Sequence, residues 1–204
     1  MTLLHIDSSI LGPASVSRKL SADIVAKLKV AHPQTTVVYR DLAVQPVSHL
    51  SGAYLGAAQN AGGEHEPAVT ADLADGFAAL RDFLAADTVV IGVAVYNFTV
   101  PSQLKAWIDR ILIAGQTFRY GPDGRPEGLA GGKKVILAIA RGGLYGPGSP
   151  AQSFEHAETY MRTVFGFIGI TDLQVVVAEG LAAGPKHRDA GIASAEHQIA
   201  ALAA

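Results

Sequence analysis

Cysteine is missing altogether from the 204 residues. That excludes disulfides, a thiolate nucleophile, iron–sulfur ligation and Cys-zinc sites. An excess of one charge is missing too. Sixteen Lys and Arg stand against 18 Asp and Glu, interspersed along the chain, for a formal net charge of −2. No electrostatic footprint for nucleic acid or a membrane surface is implied. No apolar run reaches the length of a bilayer span. The opening MTLLHIDSS has no basic n-region and no long apolar h-region, so no secretory signal is read there and a cytoplasmic location is expected. Catalytic signatures are equally scarce. The seven histidines are scattered, with no HExxH and no paired ligand spacing, so no metal site is expected. There is no G-x-S-x-G nucleophile elbow and no G-x-G-x-x-G after the first strand. GLAGGKK at 128–134 has the wrong glycine spacing for a P-loop, lacks Ser or Thr after the lysines, and precedes a strand.

What is present is a core. The chain is 49% hydrophobic and 17% charged, which suits one domain over 1–204. Apolar runs at 2–7, 35–42, 88–96, 133–143 and 171–181 read as strands. Between them, helical periodicity begins at Ser17 (Leu20, Ile24, Val25, Leu28), at Thr70 as a candidate N-cap, at Pro101, and over 153–166, with a last helix closing the chain from His187. TFRYGPDGRPEGL, from Thr117, reads as a surface hairpin. Residues 43–70 are weakly patterned and read as a loop and helix insertion. Trp107 shares the helical stripe of Leu104, Ile108 and Ile111, which fits the core or a subunit interface.

Continuous apolar strands alternating with helices predict an α/β fold: a doubly wound five-stranded parallel sheet, helices on both faces, order 2-1-3-4-5. In such sheets ligands bind beyond the carboxyl ends of the strands, at the switch point. Three loops there carry unusual chemistry. SSILGPASVS places Ser9, Ser15 and Ser17 before a helix N-terminus, where free N–H groups favour an anion; capping serines would read the same way. YNF, at Tyr96, Asn97 and Phe98, could wall in a planar heterocycle or merely cap a buried strand. RGG, at Arg141, Gly142 and Gly143, permits close backbone approach or a simple turn. Taken together on one sheet edge they describe a flavodoxin-like domain with a phosphate pocket and a planar-ligand platform. FMN fits both features.

At these residues the sequence resembles the FMN-dependent NADH azoreductases, relatives of the NAD(P)H quinone reductases. The resemblance spans nearly the whole chain and rests on SSILGPASVSRKL, RDLA, YNFTVPSQLKAWID, GQTFRY, RPEGLAGGKK, RGG, FGFIGITD and AEG. It implies a flavodoxin-like homodimer with one non-covalent FMN per subunit and NADH or NADPH as donor. By position, Ser9, Ser15, Val16 and Ser17 would bind the phosphate. Val95, Tyr96, Asn97 and Phe98 would line the isoalloxazine, and Ala140, Arg141, Gly142 and Gly143 its pyrimidine end. Tyr120 and Phe165 would approach the substrate. The implied activity is reduction of quinones and cleavage of azo compounds by ping-pong hydride transfer through flavin N5, with no catalytic side chain required. The rival reading is a flavodoxin-like electron carrier without its own substrate; the modest net charge speaks against it. A response-regulator domain would need clustered aspartates at the strand ends, where Asp7 stands alone.

Overall fold

The computed structural model describes residues 1–60 and 62–203; Ala61, within the 43–70 segment, and Ala204, at the end of the last expected helix, lie outside the described residues. Strands β1 (Thr2–Asp7), β2 (Thr36–Asp41), β3 (Thr88–Ala94), β6 (Lys134–Ala140) and β7 (Asp172–Ala178) form one parallel sheet in the order β2-β1-β3-β6-β7. With the separate antiparallel hairpin β4 (Phe118–Tyr120) and β5 (Pro126–Gly128) set aside, this is the 2-1-3-4-5 order expected.

Alternation along each strand splits the core into two layers. Leu4, Ile6, Val89, Ile91, Leu137 and Ile139 meet α3 (Pro67–Ala85) through Phe83, α4 (Ser102–Ile111) through Trp107, and α5 (Ala157–Phe167) through Phe165. Residues of the opposite parity, among them Leu3, Val90, Ile136 and Val176, meet Leu20, Ile24 and Leu28 of α1 (Val16–Ala31) and Ile199 of α6 (Pro185–Ala201). β3 is buried at every position. That is why its sequence is continuously apolar rather than alternating. Trp107 belongs to the core, wholly buried and edge-on to Phe83 at 6.0 Å.

Several boundaries differ from the sequence reading. α3 starts at Pro67, not at Thr70, which lies one turn inside it. Proline's fixed φ and missing donor suit the first helical position, and they outweigh the hydroxyl cap. The 43–70 segment holds α2 (Gly52–Gln59), capped by Ser51, whose Oγ accepts from Tyr54 N–H at 3.1 Å. Tyr54 and Ala57 pack on Leu73, so α2 is anchored to α3. α5 begins at Ala157 after a 3-10 turn at Gln152–Phe154. β3 ends at Ala94, although Val95 still donates to Ala140 O at 2.9 Å.

Candidate active site

The loop after β1 is built from hydroxyls and then braced from behind. Ser15 is the N-cap of α1, and its Oγ lies 3.1 Å from Ser17 Oγ. The first intrahelical bond is Lys19 N–H to Ser15 O, so the N–H groups of Val16 and Ser17 stand ahead of the ladder. Ser9 Oγ lies 3.1 Å from the Tyr96 hydroxyl, which also accepts from Ile10 N–H at 3.3 Å. Arg18 grips the loop from the other side. Its Nε and Nη2 donate to Ser9 O at 3.1 and 2.8 Å, while Nη1 and Nη2 donate to Asp41 at 2.6 and 2.7 Å. The bidentate pair holds the Arg18 guanidinium above its ordinary range and the Asp41 carboxyl below its own. α1 can approach this closely because β3 has Gly92 opposite: a Cβ there would lie 2.5 Å from Asp7 Oδ1 and 3.2 Å from Ser17 O.

Asp7, alone at its strand end in the sequence, is buried and already engaged. Its carboxylate accepts from Ser21 Oγ at 2.8 Å and from the Tyr39 hydroxyl at 3.0 Å. Burial and then the Asp7 charge push the Tyr39 phenol up to about 12. Neither the Arg18 clamp nor the Tyr39 contact was foreseen. The only sequence signal was the polar end of the second strand.

The YNF segment is neither strand nor simple cap. Tyr96 and Thr99 exchange both backbone hydrogen bonds, at 3.1 and 3.2 Å, around a two-residue loop. Asn97 and Phe98 both have positive φ, +47° and +75°. Two left-handed central residues are the mark of a type I′ turn. Asn adopts that conformation readily, whereas an aromatic residue there is strained. Phe98 O accepts from His156 N–H at 3.2 Å, which ties the turn to the approach of α5. The Phe98 ring meets Phe154 at 5.4 Å and Tyr145 at 6.3 Å.

The third loop leaves β6 and is pinned to the exit of β7. Leu181 N–H donates to Arg141 O and Ala182 N–H to Gly142 O. The buried Arg141 side chain pairs with Glu179 at 2.8 Å and leaves Nη1 without a hydrogen-bond partner. Glu179 Oε2 also accepts from the N–H groups of Tyr145 and Gly146, each at 3.0 Å, so it closes the glycine loop. Gly143 has no room for a Cβ, which would fall 2.5 Å from the Tyr145 ring.

These loops enclose two adjoining cavities. One of about 240 Å³ is lined by Ser9, Ser15 and Val16, by Val95 and Tyr96, and by Ala140, Arg141 and Gly142. The other, about 860 Å³ and mainly apolar, is lined by Asn97, Thr99, Pro101 and Tyr160, and shares Val95 and Tyr96 with the first. Ser17 lies behind Ser15, fully buried. Phe98 is 48% exposed beside the mouth. Both chambers are mainly apolar, and the smaller one has the hydroxyl residues Ser9, Ser15 and Tyr96 in its wall, which suits a phosphorylated ligand with a planar body.

Two expected substrate residues stand elsewhere in the chain. Phe165 is fully buried in the core, 6.4 Å from Phe83, because the inner face of α5 turns it toward the sheet. It does not reach the cavities. Tyr120 is 64% exposed on the β4–β5 hairpin. At the base of that hairpin Leu129 N–H donates to Thr117 O and Ala130 N–H to Ile168 O, and Ala130 and Ile168 lie just ahead of β6 and β7, at the amino edge of the five-stranded sheet. The hairpin that carries Tyr120 is therefore rooted at the end of the five-stranded sheet opposite the three loops.

Residues 1–203 match the family model described as flavodoxin-like fold. A protein of Xanthomonas campestris pv. campestris named FMN-dependent NADH:quinone oxidoreductase is 61% identical, with 99% of each chain aligned. One of the same name from Methylorubrum populi is 60% identical over the full length of both. Among solved structures, an azoreductase from Bacillus anthracis str. Sterne superposes with a TM-score of 0.87 at 34% identity, covering 98% of each chain. An FMN-dependent NADH-azoreductase from Bacillus anthracis str. Ames Ancestor, in complex with FMN, gives 0.86 at 27% identity with both chains fully covered.

Proposed function

The chain belongs to the flavodoxin-like family of FMN-dependent NADH:quinone oxidoreductases, and on that premise we propose that it uses FMN and NADH to reduce quinones and aromatic azo compounds. The observation that carries this reading is that the N-terminus of α1, with Ser9 and Ser15, lines a small chamber adjoining a larger one, the two joined by Val95 and Tyr96. The donor set fits FMN: three serine hydroxyls and the leading N–H groups of α1 for a phosphate, an apolar strand end for the ring, and a glycine backbone for its polar edge.

When bound, FMN supplies a two-electron redox centre between the nicotinamide and the acceptor. The protein's own part is binding and placement. The hydroxyls of Ser9, Ser15 and Ser17 and the N–H groups of Val16 and Ser17 would hold the phosphate against the positive end of α1. Tyr96 orients Ser9, and Arg18 keeps the loop in that shape without offering its own charge. Val95, Tyr96 and Phe98 shield the ring from water, and Asn97 offers its amide at the edge of the larger chamber. The backbone of Gly142 and Gly143, with Arg141 behind it, stabilises negative charge at the pyrimidine end. With FMN bound, the larger chamber would admit NADH and the acceptor one after the other, the arrangement that ping-pong kinetics would require, and an azo bond would need two rounds for cleavage to amines.

The working form in this proposal is a homodimer in the cytoplasm. Ile10, Leu11 and Phe154 surround the loops with more than half of their surface exposed. A second copy covering them would exclude water from the donor and could bring its own Tyr120 to the site. Visible absorption of the purified protein, identification of any released flavin, and NADH-dependent turnover of a quinone and an azo dye test the proposal. A protein that is colourless, takes up no FMN on titration and turns over neither acceptor would overturn it. Light scattering tests the dimer; full activity from a monomer would remove it.

A further inference from the structure

Three guanidinium groups lie around the loops, and two of them are neutralised. Arg18 is engaged by Asp41 at 2.6 Å and Arg141 by Glu179 at 2.8 Å. The third is Arg188, in the first turn of α6, exposed at the rim. It lines the same 240 Å³ chamber as Ser9, Ser15 and Val16. Its one side-chain hydrogen bond is long, Nη1 to Leu181 O at 3.5 Å. Among the described residues no carboxylate lies within ion-pair distance of it.

A phosphate monoester carries a charge of roughly −1.5 to −2 at pH 7. Hydroxyls and backbone N–H groups can satisfy its oxygens but cannot balance that charge. Arg18 and Arg141 are each paired with a carboxylate, so of the three guanidiniums Arg188 is the one free to add a countercharge to the positive end of α1. Its planar fork suits two phosphate oxygens, and its exposed, unpaired position leaves it free to swing over the chamber. We propose that Arg188 is a ligand of the cofactor phosphate and sets the preference of the site for a phosphorylated flavin over its dephosphorylated form. The inference rests on the FMN reading above and assigns the electrostatic half of that same site to α6.

The test is fluorescence titration of flavin-free protein with FMN and with riboflavin, at low and high salt. Arg188→Ala should weaken FMN about tenfold or more, the scale of a hydrogen bond to a charged group, and leave riboflavin affinity within about twofold. The salt dependence of FMN affinity should shrink with it. Arg188→Lys should recover part of the loss, and Arg188→Glu should exceed it. Unchanged FMN affinity in Arg188→Ala would overturn the assignment, as would equal losses for FMN and riboflavin. Riboflavin binding doubles as the control for folding. A wild-type protein that binds no FMN would instead remove the cofactor reading itself, which keeps the two failures distinct.

Discussion

The Tyr96 hydroxyl lies 3.1 Å from the Ser9 hydroxyl and so joins the loop after β1 to the turn after β3. The contact explains why a tyrosine stands at the seam of the two cavities. Its ring serves as wall and its oxygen as tether. Tyr96→Phe keeps the wall and cuts the tether. The expected outcome is a stability loss of about 0.5–1.5 kcal/mol, with FMN weakened more than riboflavin. Paired urea melts and flavin titrations measure both. An unaffected FMN affinity would mean that Ser9 needs no help from Tyr96.

Ser15→Ala and Ser17→Ala should each weaken FMN by about 1.5–3 kcal/mol, the range for a hydrogen bond to a charged group. Riboflavin should lose much less. Because the two hydroxyls are 3.1 Å apart, the double variant should fall short of the sum of the singles. Strict additivity in titration calorimetry would show that they act separately.

Asn97→Asp is a conformationally quiet way to place charge at the ring edge, since Asp tolerates the positive φ of 47° as Asn does. Like charges about 4 Å apart repel by roughly 4 kcal/mol at an effective dielectric of 20. A quarter of that corresponds to about 20 mV in a two-electron couple. The flavin midpoint potential should drop by at least this much, with FMN still bound and slower reduction by NADH. A potential that stays put would mean that the Asn97 side chain serves only the turn.

Asp41 makes the stability pH-dependent on the acid side. Arg18 first, then the N–H groups of Ala43 and Val44, lower its carboxyl in the folded protein against the opposing effect of burial. A depressed folded value gives stability that is present above the unfolded value, about 3.9, and is lost as pH falls through the folded one. Asp41→Asn should be less stable than wild type at pH 7 and flatter below about pH 4. Urea midpoints across that window decide it; superimposable acid limbs would show that the pair contributes nothing.

Phe165→Ala should cost about 3–5 kcal/mol of stability, as for other buried aromatic truncations. Phe165→Leu should fold and retain the wild-type KM for quinone. A KM that rises in the leucine variant with stability intact would return Phe165 to the substrate site.

The sheet order was legible because β3 and β6 are covered on both faces and so are apolar throughout. The three loops were legible because serines, an amide between aromatics, and paired glycines are unusual at strand ends. The turn at Asn97 and Phe98 was not. A phenylalanine with φ of +75° runs against its local preference, and the contacts that hold it there come from Tyr145, Phe154 and His156, far along the chain. The Arg18–Asp41 clamp is likewise a pairing between distant positions, traced in the sequence only by the polar end of the second strand. Phe165 came by position from the family resemblance, which carries no information on burial, and its side chain is fully buried among the core residues of α3 and the sheet.

The register of β1 sets a clock on the molecule's making. Its Leu3 pairs with Val37 on one side and with Thr88 on the other, 85 positions later by subtraction. At roughly 5–20 residues per second on the ribosome, the inner edge of β1 waits about 4–17 s for its partner. Through that interval Leu4 and Ile6 have no β3 and no aromatic layer to cover them. The site's first loop is likewise finished only when the second has been synthesised, because Ser9 is tethered by the Tyr96 hydroxyl.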